Sequence, residues 1–196
     1  KVFADPSQAE AAFGFDIHGA GLLPIQVVFD NQGSNQLEIN GNQTFLEDAE
    51  GNLWPVLSNK IAYERATKYA DTNEMFKEGA YKGALGAVAG AVIGAAIGIA
   101  TDDGVAASAG KGAAVGAAAG ATLGGAEALG SGDARRSIID DLHDRSLQNG
   151  VIEPRSISHG LIFFPGEAKS ALKLRLQLVE VESGEVHVVN MQLTQG

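Results

Sequence analysis

Gly86, Gly90, Gly94 and Gly98 recur at every fourth position, Gly79 and Gly83 form an earlier pair in a shifted register, and Gly112, Gly116, Gly120 and Gly124 repeat the pattern further on. Residues 79–130 hold 14 of the 26 glycines and 19 alanines, so most of this stretch is built from the two smallest residues. A glycine in a helix interior costs about 0.5–1 kcal/mol relative to alanine, so a phased series needs something to offset it. Residues four apart share one helix face, and a glycine stripe there lets two backbones approach closely where lipid offers no hydrophobic drive. The phasing also argues against a flexible linker, which would be rich in Ser and would lack ordered Val, Ile and Leu between the glycines.

The segment breaks at Asp102-Asp103-Gly104, which reads as the turn of a hairpin. The arms on either side, 58–101 and 105–149, are nearly equal in length, as two antiparallel helices should be. Nineteen uncharged residues separate Lys82 from Asp102, and fifteen separate Lys111 from Glu127. The first run would span about 28 Å of helix, close to a hydrocarbon core of about 30 Å. The second is short, and a thin bilayer such as a bacterial outer membrane would reduce the mismatch. Leu85, Val88, Val92, Ile93, Ile97 and Ile99 give the first arm enough bulk for a lipid-facing side, whereas the second carries few large residues. Neither run contains an ionisable group, which argues against a proton relay or charged ion path.

The flanks differ in kind. Residues 1–57 and 151–196 show apolar alternation and turn punctuation: Phe13, Phe15 and Ile17, then Ile25, Val27 and Phe29, then Leu172, Leu174, Leu176 and Leu178. That periodicity predicts half-buried strands, with Glu182-Ser183-Gly184-Glu185 as a hairpin turn. The expectation is an α+β chain: one discontinuous immunoglobulin-like β-sandwich, 1–57 plus 151–196, of seven or eight strands. It is interrupted at 58–150 by a long antiparallel helical hairpin with membrane segments at about 79–101 and 105–130. Tyr63 to Glu78 and Arg135 to Gln148 are expected to form a stalk, with Asp133 as a helix cap.

The phased GALGAVAGAVIGAAIG and GAAVGAAAGATLGG resemble the glycine-zipper hairpins of bacterial envelope lipoproteins of the surface-antigen type. The flanks PIQVVFDNQG, FLEDAEGNLWPV and IEPRSISHGLIFFP are similar to small sandwich domains of exported Gram-negative proteins. The resemblance implies anchoring in the outer membrane, with the sandwich in the periplasm or at the cell surface. It also implies an N-terminal lipid-bearing Cys, and here the chain departs from the pattern, since it has no Cys; it opens on Lys1 without an apolar leader, as a processed chain or one given without its start would.

Charge narrows the function. The net charge is -10, without a basic stripe, which excludes a nucleic-acid partner. Residues 1–57 carry one basic and eight acidic residues, so the acid lies away from the Gly/Ala segment. The absence of Cys removes disulfides, thiolate zinc sites and cysteine nucleophiles. Gly110-Lys111-Gly112 lacks the earlier Gly and the following Ser or Thr of a phosphate loop. Asp140, Asp141, His143 and Asp144 read as a solvated helix face rather than a metal site, and His18, His159 and His187 have no nucleophile motif around them. Trp54 reads as core at the sandwich end facing the helices, and Asn42-Gln43-Thr44 as an ordinary turn that happens to fit a sequon.

The expectation is therefore a non-enzymatic envelope protein without cofactor or bound metal. Its partners would be membrane lipid, copies of itself in a homo-oligomeric ring, and other outer-membrane proteins. The ring would scaffold the membrane or line a conduit. The competing readings are an accessory subunit packed on an outer-membrane barrel or secretion machine, and a pore-forming toxin.

Overall fold

The computed structural model describes residues 1–72, 131–168 and 170–193. Its centre is a ribbon of two long antiparallel strands, β1 (Leu22–Asn31) and β5 (Ser156–Pro165), paired along their whole length from Leu22 opposite Pro165 to Asn31 opposite Ser156. The second sheet is built on β6 (Ala171–Glu180). One edge of β6 carries β7 (Val186–Gln192); the other is shared by β2 (Leu37–Ile39) and β3 (Phe45–Asp48), and β4 (Leu53–Pro55) lies outside β3. All of these pairings are antiparallel.

The ribbon is a middle layer. Leu23, Ile25 and Val27 of β1 and Ile162 and Phe164 of β5 share a core with Leu46, Leu174, Leu176 and Leu178 of the five-stranded sheet. Leu22, Leu161 and Phe163 point the other way, into a second core with the helices α1 (Pro6–Phe13), α2 (Asn59–Thr72) and α3 (Ser131–Arg145). This is why LLPIQVVF and GLIFFP read as near-continuous apolar runs: a strand covered on both faces has no wet side to alternate toward. β6, with one covered face, keeps the alternation, Leu174, Leu176 and Leu178 buried between Lys173, Arg175 and Gln177.

The expected immunoglobulin-like sandwich with a long inserted antiparallel helical hairpin is corrected by this arrangement. The described helices are short, of 8, 14 and 15 residues, and no long helical hairpin is found among the described residues. Two sheets do share a core, but one is a two-stranded ribbon whose other face is taken by helices. In a sandwich of two half-wet sheets that face would meet solvent. The transmembrane helical hairpin is corrected likewise: among the described residues no helix is long and apolar enough to cross a membrane. The described helices are each shorter than the roughly 20 residues a span needs, and α2 carries Lys60, Glu64, Arg65, Lys68 and Asp71 within 14 residues; the expected membrane segments 79–101 and 105–130 lie outside the described residues. Gly79, Gly83, Gly86, Gly90, Gly94, Gly98, Gly112, Gly116, Gly120 and Gly124 lie outside the described residues. So do Leu85, Val88, Val92, Ile93, Ile97, Ile99 and the turn Asp102-Asp103-Gly104.

A second correction falls at the start of the chain. Phe13 closes helix α1 instead of opening a strand, and Phe15 and Ile17 follow in the loop, all three at most 1% exposed. The Asp5 carboxylate accepts from the Gln8 amide at 2.8 Å as an N-cap, and Pro6 sits at the first helical position. Gly14 ends the helix with φ 71°, a left-handed conformation that glycine adopts without a Cβ penalty. Ahead of α1, residues 1–3 run along the free edge of β1: the Phe3 amide donates to the Pro24 carbonyl and the Gln26 amide to the Lys1 carbonyl.

Candidate functional site

In the chain, α2 and α3 stand on either side of 73–130, the stretch that contains the Gly/Ala segment. α2 begins where the Ile61 and Ala62 amides donate to the side chain and carbonyl of Ser58. Its small residues Ala62 and Ala66, spaced four apart and fully buried, lie in one core with Ile138 and Leu142 of α3, also spaced four apart. Small residues on one helix opposite large ones on the other allow a close, interlocked contact. The two helices therefore pack on each other and, together, on Phe163 and Leu161 of the ribbon.

Polar contacts fasten this pair to the body. The Ser146 hydroxyl, just past α3, donates to Asn59 Oδ1 at the start of α2 at 2.9 Å, and Gln148 Nε2 donates to the Leu57 carbonyl. The start of α2 thus lies beside the end of α3, and the helices run antiparallel. Arg65 on α2 donates to the Gly21 carbonyl at 2.6 Å, and Tyr69 donates through its hydroxyl to Asp16 Oδ2. Arg145 on α3 donates to the Ala12 carbonyl and forms a 2.9 Å ion pair with Asp141, both side chains about 15% exposed or less. Burial pushes the Asp141 carboxyl above its ordinary range, and the Arg145 charge opposes the rise. Where a stalk is expected, Tyr63, Ala66, Ile138 and Leu142 are packed into the body instead. Asp133 falls within α3, not at its cap.

The other sequence candidates separate. Asp140, His143 and Asp144 stay on the α3 surface, with His143 Nδ1 and Asp144 Oδ1 3.5 Å apart, while Asp141 turns to Arg145. His18 Nε2 lies 2.6 Å from the Phe3 carbonyl, His159 sits on β5 and His187 on β7, so the histidines are spread over different elements. Trp54 does not face the helices. It packs against the sheet core, and its Nε1 donates to Asp48 Oδ2 at 2.8 Å. Thr44 of the sequon is fully buried; its hydroxyl donates to the Asn40 carbonyl and accepts from the Gln177 amide, so that residue serves the fold.

One arrangement was not anticipated. Glu180, Glu185 and His187, across the β6–β7 turn, place one ligand atom each within 4.8 Å of one another, the group among the described residues able to approach a metal ion together. Carboxylate and imidazole donors of this kind suit a divalent cation. Yet Glu180 already accepts from the Ser183 hydroxyl and from Asn35 Nδ2, and lies 3.1 Å from His187 Nε2. Those bonds, from Ser183 and His187 first, hold its carboxyl below the ordinary range. The cluster therefore closes the turn with its own donors. The turn Glu182-Ser183-Gly184-Glu185 was visible in the sequence, but the approach of Asn35, 145 residues away, to Glu180 was not.

Compared with protein-family models, curated proteins and solved structures, the chain matches none at a significant level.

Proposed function

We propose that this is a non-enzymatic envelope protein. The β body carries the Gly/Ala segment 79–130 to the outer membrane, where its phased glycines bring copies together in a closed homo-oligomer that scaffolds the membrane or lines a conduit. The observation that carries the reading is the way the helices on either side of the segment are held. Residues 73–130 lie in the chain between α2 and α3, and these two helices are packed on each other and fastened to the body by Ser146–Asn59, Gln148–Leu57, Arg65–Gly21 and Arg145–Ala12. Of the 52 residues of the segment, 33 are Gly or Ala, a composition that lets helices pack backbone to backbone. The acidic N-terminal part of the body suits an aqueous compartment beside a membrane rather than contact with anionic lipid.

The test is flotation of the full chain with phosphatidylethanolamine and phosphatidylglycerol vesicles on a density gradient. The reading expects the chain to rise with the vesicles and to remain bound at high salt, since the attraction is apolar. A chain that stays at the bottom of the gradient with every vesicle composition contradicts it.

A further inference from the structure

β7 ends the five-stranded sheet, and among the described residues nothing pairs with its outer edge. Its ladder with β6 is fixed at both ends: the Glu180 amide donates to the Glu185 carbonyl and the Leu193 amide to the Leu172 carbonyl, each at 2.9 Å. In an antiparallel ladder directly opposed residues alternate between bonded and non-bonded pairs. Positions 185, 187, 189, 191 and 193 therefore spend their N–H and C=O groups on β6. Val186, Val188, Asn190 and Gln192 aim theirs away from it.

This edge lacks the usual protections. VHVVNMQ contains no charged residue, no Pro and no Gly, in a chain with 24 acidic and 14 basic residues. Charged residues, Pro and bulges are the devices that keep sheet edges from pairing. Val186, Val188 and Val189 are 50%, 45% and 36% exposed. Val189 points to the same face as Leu176, its partner on β6, and stays half-exposed although Leu176 is buried under the ribbon. The facing ribbon is two long strands wide, so β7 overhangs it.

We propose that a second copy of this chain pairs antiparallel along β7, about a two-fold axis at Val189. In that register Val186 lies opposite the second copy's Gln192, and Val188 opposite its Asn190. The reciprocal pairs follow by symmetry, so all four outward-facing residues find partners; any other antiparallel register leaves at least one unpaired. No charge faces a charge across the strand pair. The acidic turn of each copy, with Glu180, Glu182 and Glu185, comes to the end of the other copy's β7 that lies beside Lys173 and Arg175. A parallel pairing would instead set two acidic turns side by side. Isologous pairing of one patch with itself is the commonest way two identical chains close. The inference rests on β7 alone and is independent of what the Gly/Ala segment does.

The test uses the absence of native cysteine. At the two-fold, Val189 and its copy form a non-hydrogen-bonded pair with Cα atoms about 4.5 Å apart, within disulfide range. Val188 and its copy are diagonal neighbours roughly 7–8 Å apart, at or beyond that range. On mild oxidation of the full chain, Val189→Cys is expected to convert largely to a disulfide-linked dimer while Val188→Cys stays monomeric on a denaturing gel. Adding Val188→Pro to Val189→Cys should abolish the cross-link without unfolding, because the N–H it removes faces away from β6. Adding Gly90→Leu should leave the cross-link intact. Equal cross-linking of both cysteine variants, or none by Val189→Cys in a chain whose circular dichroism is unchanged, overturns the proposal.

Discussion

Asp48 shows how much one side chain can organise. It is 4% exposed, and its two oxygens accept from the amides of Glu50 and Asn52, the Asn52 side chain and the Trp54 indole. Burial works against its charge, but the bonds from Trp54, Asn52 and Glu50 outweigh it and hold the carboxyl below its ordinary value of 3.8. A carboxyl depressed on folding contributes stability that is complete above the unfolded pKa and is lost as pH falls through the folded one. Asp48→Asn should therefore lower the melting temperature at pH 7, and the gap from the parent chain should narrow below about pH 4. Thermal melts of both chains across pH 3–7 check this; a gap that stays constant would mean the charge is not what the turn uses. Glycine at 160 is a second case. A Cβ there would lie 2.9 Å from the Arg145 carbonyl oxygen and the Leu147 amide, where β5 passes under the end of α3. Gly160→Ala is expected to cost about 1–3 kcal/mol in denaturant unfolding, since backbone on both sides must give way.

At the scale of elements, legibility depended on how many faces each element buries. β6 and the β6–β7 hairpin were readable because one face is covered, so Leu174, Leu176 and Leu178 alternate with polar residues. β1 was read as a half-buried strand from the alternation of Ile25, Val27 and Phe29, whereas β1 and β5 form a double-covered middle layer. Period-2 alternation cannot distinguish one wet face from a second face filled by Leu22, Leu161 and Phe163. α1 was missed because its eight residues bury only Ala9, Ala12 and Phe13, too few for a 3.6-residue period to stand out. Its caps, Asp5-Pro6 and Gly14, were the legible signal. For α2 and α3, helix type was read correctly from composition, whereas their packing against each other depended on Ala62 and Ala66 meeting Ile138 and Leu142, a pairing across the whole insertion. If that contact roots the Gly/Ala segment, Leu142→Ala should cost about 2–5 kcal/mol, the range for a buried leucine. It should also speed proteolysis at both helices together. Loss of protection at α3 with α2 unaffected would mean the helices do not act as a pair.

For the whole molecule, the layers assign different tasks to different faces. The ribbon joins two cores, so sheet and helices stabilise each other through Phe163 and Phe164, neighbours in sequence that point to opposite layers. Phe163→Ala should therefore cost about 3–5 kcal/mol and unfold both layers in a single transition. Two separate transitions, by near-ultraviolet dichroism and by helix signal, would show that the layers are independent. The helices on either side of the Gly/Ala segment belong to the helical layer, and the sheet layer ends in β7, with whose outer edge nothing pairs among the described residues, so association through one does not compete for residues with association through the other.

The central claim is that the phased glycines bring copies of this chain together. It is tested most directly by the particle mass of the full chain in mild detergent, measured beside a variant carrying Gly90→Leu and Gly116→Leu. The account predicts a parent particle of more than two chains, and a variant that falls back to two, the number β7 pairing alone would leave. Parent and variant particles of equal mass would contradict it.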